Sequence, residues 1–139
     1  YPKDIYIPKN FSIPPENVFK FVVYTGGIFW YTCTNDGWTS GFATDYRDLY
    51  FNNEEDLAKY PSSPVAAVYL EGIVRSLIPK YDTSTISLNQ LCVAPSLDPK
   101  KNYENKLFKI TGTKGKGAFS DITYLMLLNT KGGVTPDAQ

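Results

Sequence analysis

Few side chains in this sequence could do chemistry. Cys33 and Cys92 are the only thiols in 139 residues. Asn10-Phe11-Ser12 is an N-x-S triplet, the acceptor pattern for N-glycosylation. Fourteen Asp and Glu side chains are present and histidine is absent. Without an imidazole, Ser-His-Asp and Cys-His catalysis, histidine-dependent zinc sites and ordinary imidazole acid–base work are excluded. Two cysteines cannot complete a four-cysteine zinc site or hold an iron–sulfur cluster unaided. A carboxylate pair of the glycosidase kind is weak here, because the acids sit mostly in loops and at a helix start, not within apolar strands. The run Gly112-Thr113-Lys114-Gly115-Lys116-Gly117 resembles a phosphate cradle only loosely. A P-loop needs G-x-x-x-x-G-K-[ST] between a strand and a helix, and here Ala118 follows the second glycine of the pair and a strand is expected next. No catalytic, cofactor-binding or metal-binding residue is expected, and no cofactor.

The two cysteines leave three readings open. They can be buried free thiols, since cysteine packs as a small hydrophobe. They can close an internal loop of about sixty residues, worth ~4 kcal/mol on a chain-entropy account. Or they can join different molecules. The aromatics Phe29, Trp30 and Trp38 suggest a lining for an apolar pocket that takes a small ligand or lipid, against the plainer alternative of ordinary core.

Those residues are positioned by a strand-rich chain. Residues 18–34, VFKFVVYTGGIFWYTCT, hold β-branched and aromatic runs on both sides of Thr25-Gly26-Gly27, and no charge falls between Phe21 and Asn35. This predicts a buried β-hairpin turning at the glycines, which can supply positive φ. Asn35-Asp36-Gly37 signals a further turn, and residues 38–43 a short strand. Residues 45–51 are mixed and read as a strand end. Asn53 would cap one short helix over EEDLAKY, with Glu54, Glu55 and Asp56 in its first turn and Pro61 ending it. Strands are expected over 65–70, 72–78, 86–93, 106–113 and 119–128. A polar surface loop fills 94–105, and a hairpin with a basic tip is expected at Lys114-Gly115-Lys116-Gly117. The expectation is an all-β chain: a single-domain antiparallel β-sandwich or barrel over 1–139 with at most one or two short helices. A proline-rich extended arm (1–15) precedes it and a turn-rich tail (129–139) ends it.

Charge narrows the partners. Fourteen basic residues balance fourteen acidic ones, so there is no basic surplus for nucleic acid and little long-range self-repulsion. No apolar run reaches the length of a membrane span. The opening YPKDIYIPKN lacks a basic-then-apolar leader, so a mature form is expected, with any signal peptide removed. Eleven tyrosines and eight phenylalanines are a heavy aromatic load for this length. Amphipathic rings of that kind favour contact surfaces when they lie on outer strand faces.

The ending, GKGAFSDITYLMLLNTKGGVTP over 115–136, resembles a family of secreted bacterial and fungal proteins of unknown function catalogued as DUF 3455. Its core reads G-x-G-x-F-S-x-V-T-Y, followed by N-T-x-G-G-x-x-P. Gly115, Gly117, Phe119, Ser120, Thr123, Tyr124, Asn129, Thr130, Gly132, Gly133 and Pro136 fill that pattern, with Ile122 in the place of a β-branched neighbour. Ile13-Pro14 resembles the family's V-P, and Gly27 with Tyr31-Thr32-Cys33 resembles its G-x-Q-x-Y-x-C. Two departures stand out. The family's H-x-x-G-P-x-W segment has no counterpart in a chain without histidine. Nor is there a cysteine after the final G-G-x-x-P, so Cys33 lacks the partner the resemblance implies, which leaves Cys92 or another molecule. A fungal branch of the family includes a protein that forms crystals in the vacuoles of a gravity-sensing fungus. The resemblance therefore implies a non-enzymatic, self-assembling structural protein of a fungal vacuole or secretory lumen, partnered by its own copies and cross-linked by disulfides. The alternative is a secreted module binding a small apolar ligand or lipid.

Overall fold

The structure, a computed structural model, describes residues 4–27, 31–40, 47–51, 65–71 and 74–134. The expected helix after Asn53 falls outside these residues, as do Phe29 and Trp30. The described residues form nine strands: β1 (Tyr24–Gly27), β2 (Tyr31–Thr34), β3 (Gly37–Ser40), β4 (Arg47–Phe51), β5 (Ala66–Glu71), β6 (Val74–Pro79), β7 (Thr85–Ala94), β8 (Asn105–Lys114) and β9 (Tyr124–Leu127). Seven form one sheet in the order β1-β4-β5-β6-β7-β8-β9, and β2 and β3 form a separate hairpin. Every neighbouring pair is antiparallel. The described residues contain no helix. The fold class is all-β.

Two sequence expectations need correction. Thr25, Gly26 and Gly27 make no turn: they belong to β1 and pair with Tyr50, Leu49 and Asp48 of β4. The positive φ that a tight turn needs occurs at Gly37 (101°), so the hairpin forms one step later, between β2 and β3, around Asn35-Asp36. Residues 18–23 carry strand-like composition yet join no ladder. The second correction concerns β8 and β9. They do pair, Lys106 with Leu127 through Lys109 with Tyr124, but not across a short basic tip. The chain from Gly115 to Thr123 leaves β8, crosses to the β6–β7 turn, and returns before β9 begins.

The two longest strands explain where the cores lie. At the start of β7, Ile86 and Leu88 are buried and alternate with half-buried Thr85 and Ser87. Register shifts at Ser87/Leu88 and Gln90/Cys92 break the ladder with β8. A bulge adds a residue and flips the alternation, so Cys92 and Ala94 face the opposite side of the sheet from Ile86 and Leu88. The same strand therefore feeds two cores. The first gathers Ala66, Val68, Leu77, Ile86, Leu88, Phe108 and Phe119, with Val23, Ile110, Ile122, Leu125 and Leu127 against them. The second lies on the outer face and joins Ala94 and Leu107 to Phe11 of the arm, with Ile7, Ile13, Cys92, Tyr124, Met126 and Leu128 around them. Adjacent β8 residues divide between them: Phe108 points to one core and Leu107 to the other.

The arm is thus docked rather than free. Phe11 is 7 % exposed, a burial worth about 1.5–3 kcal/mol relative to solvent. Asn10 Nδ2 donates to the Val93 carbonyl at 3.4 Å, and the Cys92 thiol donates to the Asn10 carbonyl at 3.7 Å. Arg75, on β6, lays its guanidinium 5.1 Å from the centre of the Phe108 ring, and its buried Nε has no hydrogen-bond partner among the described residues.

Candidate association surface and the signature loops

The segment that leaves β8 is tied to the β6–β7 turn by a dense set of short bonds. Asp82 Oδ1 accepts from the Ser84 hydroxyl (2.6 Å) and the Ser84 amide (2.9 Å), and Oδ2 accepts from the Ala118 amide (3.0 Å). The Ser84 hydroxyl in turn accepts from the Phe119 amide at 3.1 Å. Thr83 Oγ1 accepts from the Lys116 amide at 3.1 Å and faces its carbonyl at 3.3 Å, while the Gly117 amide donates to Ser120 Oγ at 2.8 Å. The glycines are there for room. A Cβ on Gly115 would stand 2.0 Å from the Thr83 carbonyl oxygen, and one on Gly117 would stand 2.1 Å from the Asp82 carboxyl carbon. Phe119 then drops its ring into the first core, 4 % exposed and 6.0 Å from the Phe21 ring. Of the residues that carry the family resemblance, Gly115, Gly117, Phe119 and Ser120 all serve this latch.

A second clasp holds the other half of that pattern. Tyr103 N donates to the Gly132 carbonyl at 2.8 Å, and Gly132 N donates to Asn102 Oδ1 at 3.1 Å. Thr130 Oγ1 donates to the Tyr103 carbonyl. Asn129 takes a φ of 52° and Gly132 and Gly133 take 71° and 79°, so the backbone reverses here without a strand. The Asn102 and Thr130 side chains hold main chain, and neither lines the groove beside β8 and β9.

The latch has a pH signature. The Ser84 hydroxyl, then the Ala118 and Ser84 amides, hold the Asp82 carboxyl below its ordinary value of 3.8, with partial burial opposing them. A folded value below the unfolded one means the carboxylate stabilises the fold at pH above about 3.8. That contribution fades as the pH falls through the folded value. Asp82→Asn is expected to lower the melting temperature at pH 7 and to lose this share of the wild type's acid sensitivity. Calorimetry at neutral and acid pH checks this, and equal differences from wild type at pH 7 and pH 2.5 would count against it.

The other sites named from sequence are dispersed. Cys33 is an exposed free thiol on β2, beside Trp38 of β3 in the ladder; Cys92 is a half-buried free thiol on β7 under the arm. Asn10 is exposed and sits on the arm. Trp38 is half-buried, and its two proposed pocket companions, Phe29 and Trp30, are among the residues not described. An open groove of about 550 Å³ runs between Pro14–Asn17, the end of β8 and residues 120–124. It exists because β9 pairs with β8 only as far as Lys109, with one further bond from Ile110 N to the Thr123 carbonyl. Its carboxylates are Glu16 and Asp121, and Asp121 meets Lys20 at 3.4 Å. Among the described residues no three Cys, Asp or Glu side chains gather into a metal site. No described helix is long and apolar enough to cross a membrane.

What sequence reasoning missed is an exposed apolar ribbon. Val18 (86 % exposed), Phe19, Phe21 and Tyr24 present large apolar surface on the segment that feeds β1, an edge strand of the seven-stranded sheet. The run is anchored by Lys20–Asp121 and by Thr123 Oγ1 donating to Asn17 Oδ1. The same letters that suggested a buried hairpin spine hold the signal, read as a surface instead. No protein-family model, no curated protein and no solved structure matches the chain.

Proposed function

We propose that this chain is a self-associating structural protein that acts by packing against its own copies, not by turning over a substrate. The observation that carries the reading is the exposed ribbon of Val18, Phe19, Phe21 and Tyr24 leading into an edge strand. Contiguous exposed apolar surface marks contact sites, and an edge strand without charge or proline is open to strand addition. Residues 21–27 contain neither. A formal net charge of zero adds little repulsion between copies. The resemblance to the DUF 3455 family, and to its crystal-forming fungal branch, supports the same reading and suggests a fungal vacuole or secretory lumen. Dense bodies built this way could sediment and report the direction of gravity.

Covalent cross-linking in such an assembly belongs to one thiol. Cys33 is exposed, whereas Cys92 is half-buried under the arm. One accessible thiol per copy links two chains and no more. Native protein is therefore expected to run on non-reducing gels as a dimer, and as a monomer near 15.6 kDa when reduced. Cys33→Ser should abolish the dimer band and Cys92→Ser should leave it. Sedimentation velocity across a concentration series tests the non-covalent association itself. A single monomeric species at millimolar concentration under oxidising conditions would overturn the proposal.

A further inference from the structure

We propose that the amino-terminal arm is exchangeable between copies, so that residues 4–13 of one chain occupy the outer face of β7–β9 in another. This deepens the self-association reading and rests on it. The occupant is identified by the fold itself. The outer-face core is built from two separable parts, Ile7, Phe11 and Ile13 on the arm against a sheet patch centred on Ala94 and Leu107. Whatever fits that patch must present the arm's pattern, and every further copy of the chain carries it.

The arm's bonding makes it separable. Its own backbone bonds are internal: Phe11 N to the Pro8 carbonyl at 3.0 Å and Ser12 N to the Asn10 carbonyl at 3.1 Å. It adds no strand to the sheet. Among the described residues, its polar ties to the patch are the long contacts of Asn10 with Val93 and Cys92, at 3.4 and 3.7 Å. Apolar burial therefore holds it, and that term is the same whichever chain supplies the arm. The pivot is equally plain. Pro14-Pro15 joins the arm to a segment that is fixed downstream by the Asn17–Thr123 and Lys20–Asp121 contacts. The Pro14 carbonyl accepts from Asn17 N at 3.1 Å and Asn17 Nδ2 at 2.9 Å, which sets the bend. Two successive prolines admit few backbone states, so a change at this bend redirects residues 4–13 together, with the Pro8–Phe11 turn kept inside the moving piece. Exchange of an identical element loses no contact and opposes only the entropy of association. Reciprocal exchange closes a two-fold dimer; exchange passed from copy to copy gives an open chain.

The test uses the full chain with Cys33→Ser and Asn10→Cys, which leaves Cys92 facing the new thiol across the arm seat. The assembled and monomeric fractions are separated, oxidised gently and run denatured without reductant. Exchange predicts a disulfide-linked dimer from the assembled fraction and an internally bridged monomer from the other. An internally bridged monomer from both fractions overturns exchange and leaves self-association standing. Absence of any assembled fraction overturns the self-association reading, and exchange with it. Phe11→Ala decides independently of bridge geometry. It should speed Cys92 labelling by roughly tenfold or more, as local opening of the arm becomes easier, and weaken assembly by a similar factor. Faster labelling with unchanged assembly would place the contact elsewhere and overturn the inference.

Discussion

Gly115→Ala is expected to destabilise the protein by about 2–4 kcal/mol, as a large single-site backbone effect. Two costs add. Gly115 has a φ of 74°, which an alanine tolerates poorly, typically at about 1 kcal/mol. Its new Cβ would also stand 2.0 Å from the Thr83 carbonyl oxygen, and a backbone oxygen cannot swing aside as a side chain can. Relief requires residues 115–118 to lift from the β6–β7 turn, which breaks the Lys116–Thr83 and Ala118–Asp82 bonds together. Gly132→Ala is the control: its φ of 71° is similar, but nothing lies within 4 Å of the added carbon. Urea unfolding of both variants separates strain from collision. Equal losses would show that the close approach of Gly115 to Thr83 contributes nothing.

Phe119→Ala should cost about 3–5 kcal/mol, in the range for emptying a large aromatic from a core. The ring is 4 % exposed and meets both Phe21 and the first core. Its loss would also loosen the latch from the apolar side, because the ring anchors the residue whose amide, kept in the variant, donates to Ser84 Oγ. Thermal unfolding followed by near-ultraviolet circular dichroism measures it. A loss below about 1 kcal/mol would mean that the segment's polar bonds, not the ring, hold it in place.

Much of the fold could be read from composition and alternation. Ile86, Leu88 and their polar neighbours follow the two-residue period of a half-buried strand, and β5, β7 and β8 fall close to the expected positions. Turn chemistry was less legible. Gly26-Gly27 and Gly37 are equally permissive as letters; pairing of β1 with β4, a contact some twenty residues distant in sequence, decides that only Gly37 reverses the chain. Long-range hydrogen bonds also hid the latch. Nothing in Gly115-Lys116-Gly117 announces that Asp82 and Thr83 await it, because a carboxylate in a loop looks the same whether solvated or bonded to a distant amide. The arm was expected to be extended, yet Phe11 N bonds back to the Pro8 carbonyl in a turn, and proline content does not reveal that Phe11 is a core residue. The exposed ribbon of Val18, Phe19, Phe21 and Tyr24 could not be placed from the letters, since an apolar run at an edge and one at a centre share them.

The latch and the clasp carry a lesson about the letters that suggested a relative. Gly115, Gly117, Ser120, Thr130 and Gly132 answer to carbonyls and amides of their own chain. A signature made of such residues is a grammar of bends. Two polypeptides that share it can be expected to fold their endings alike while doing quite different jobs, so vocation has to be sought in the ribbon and the arm.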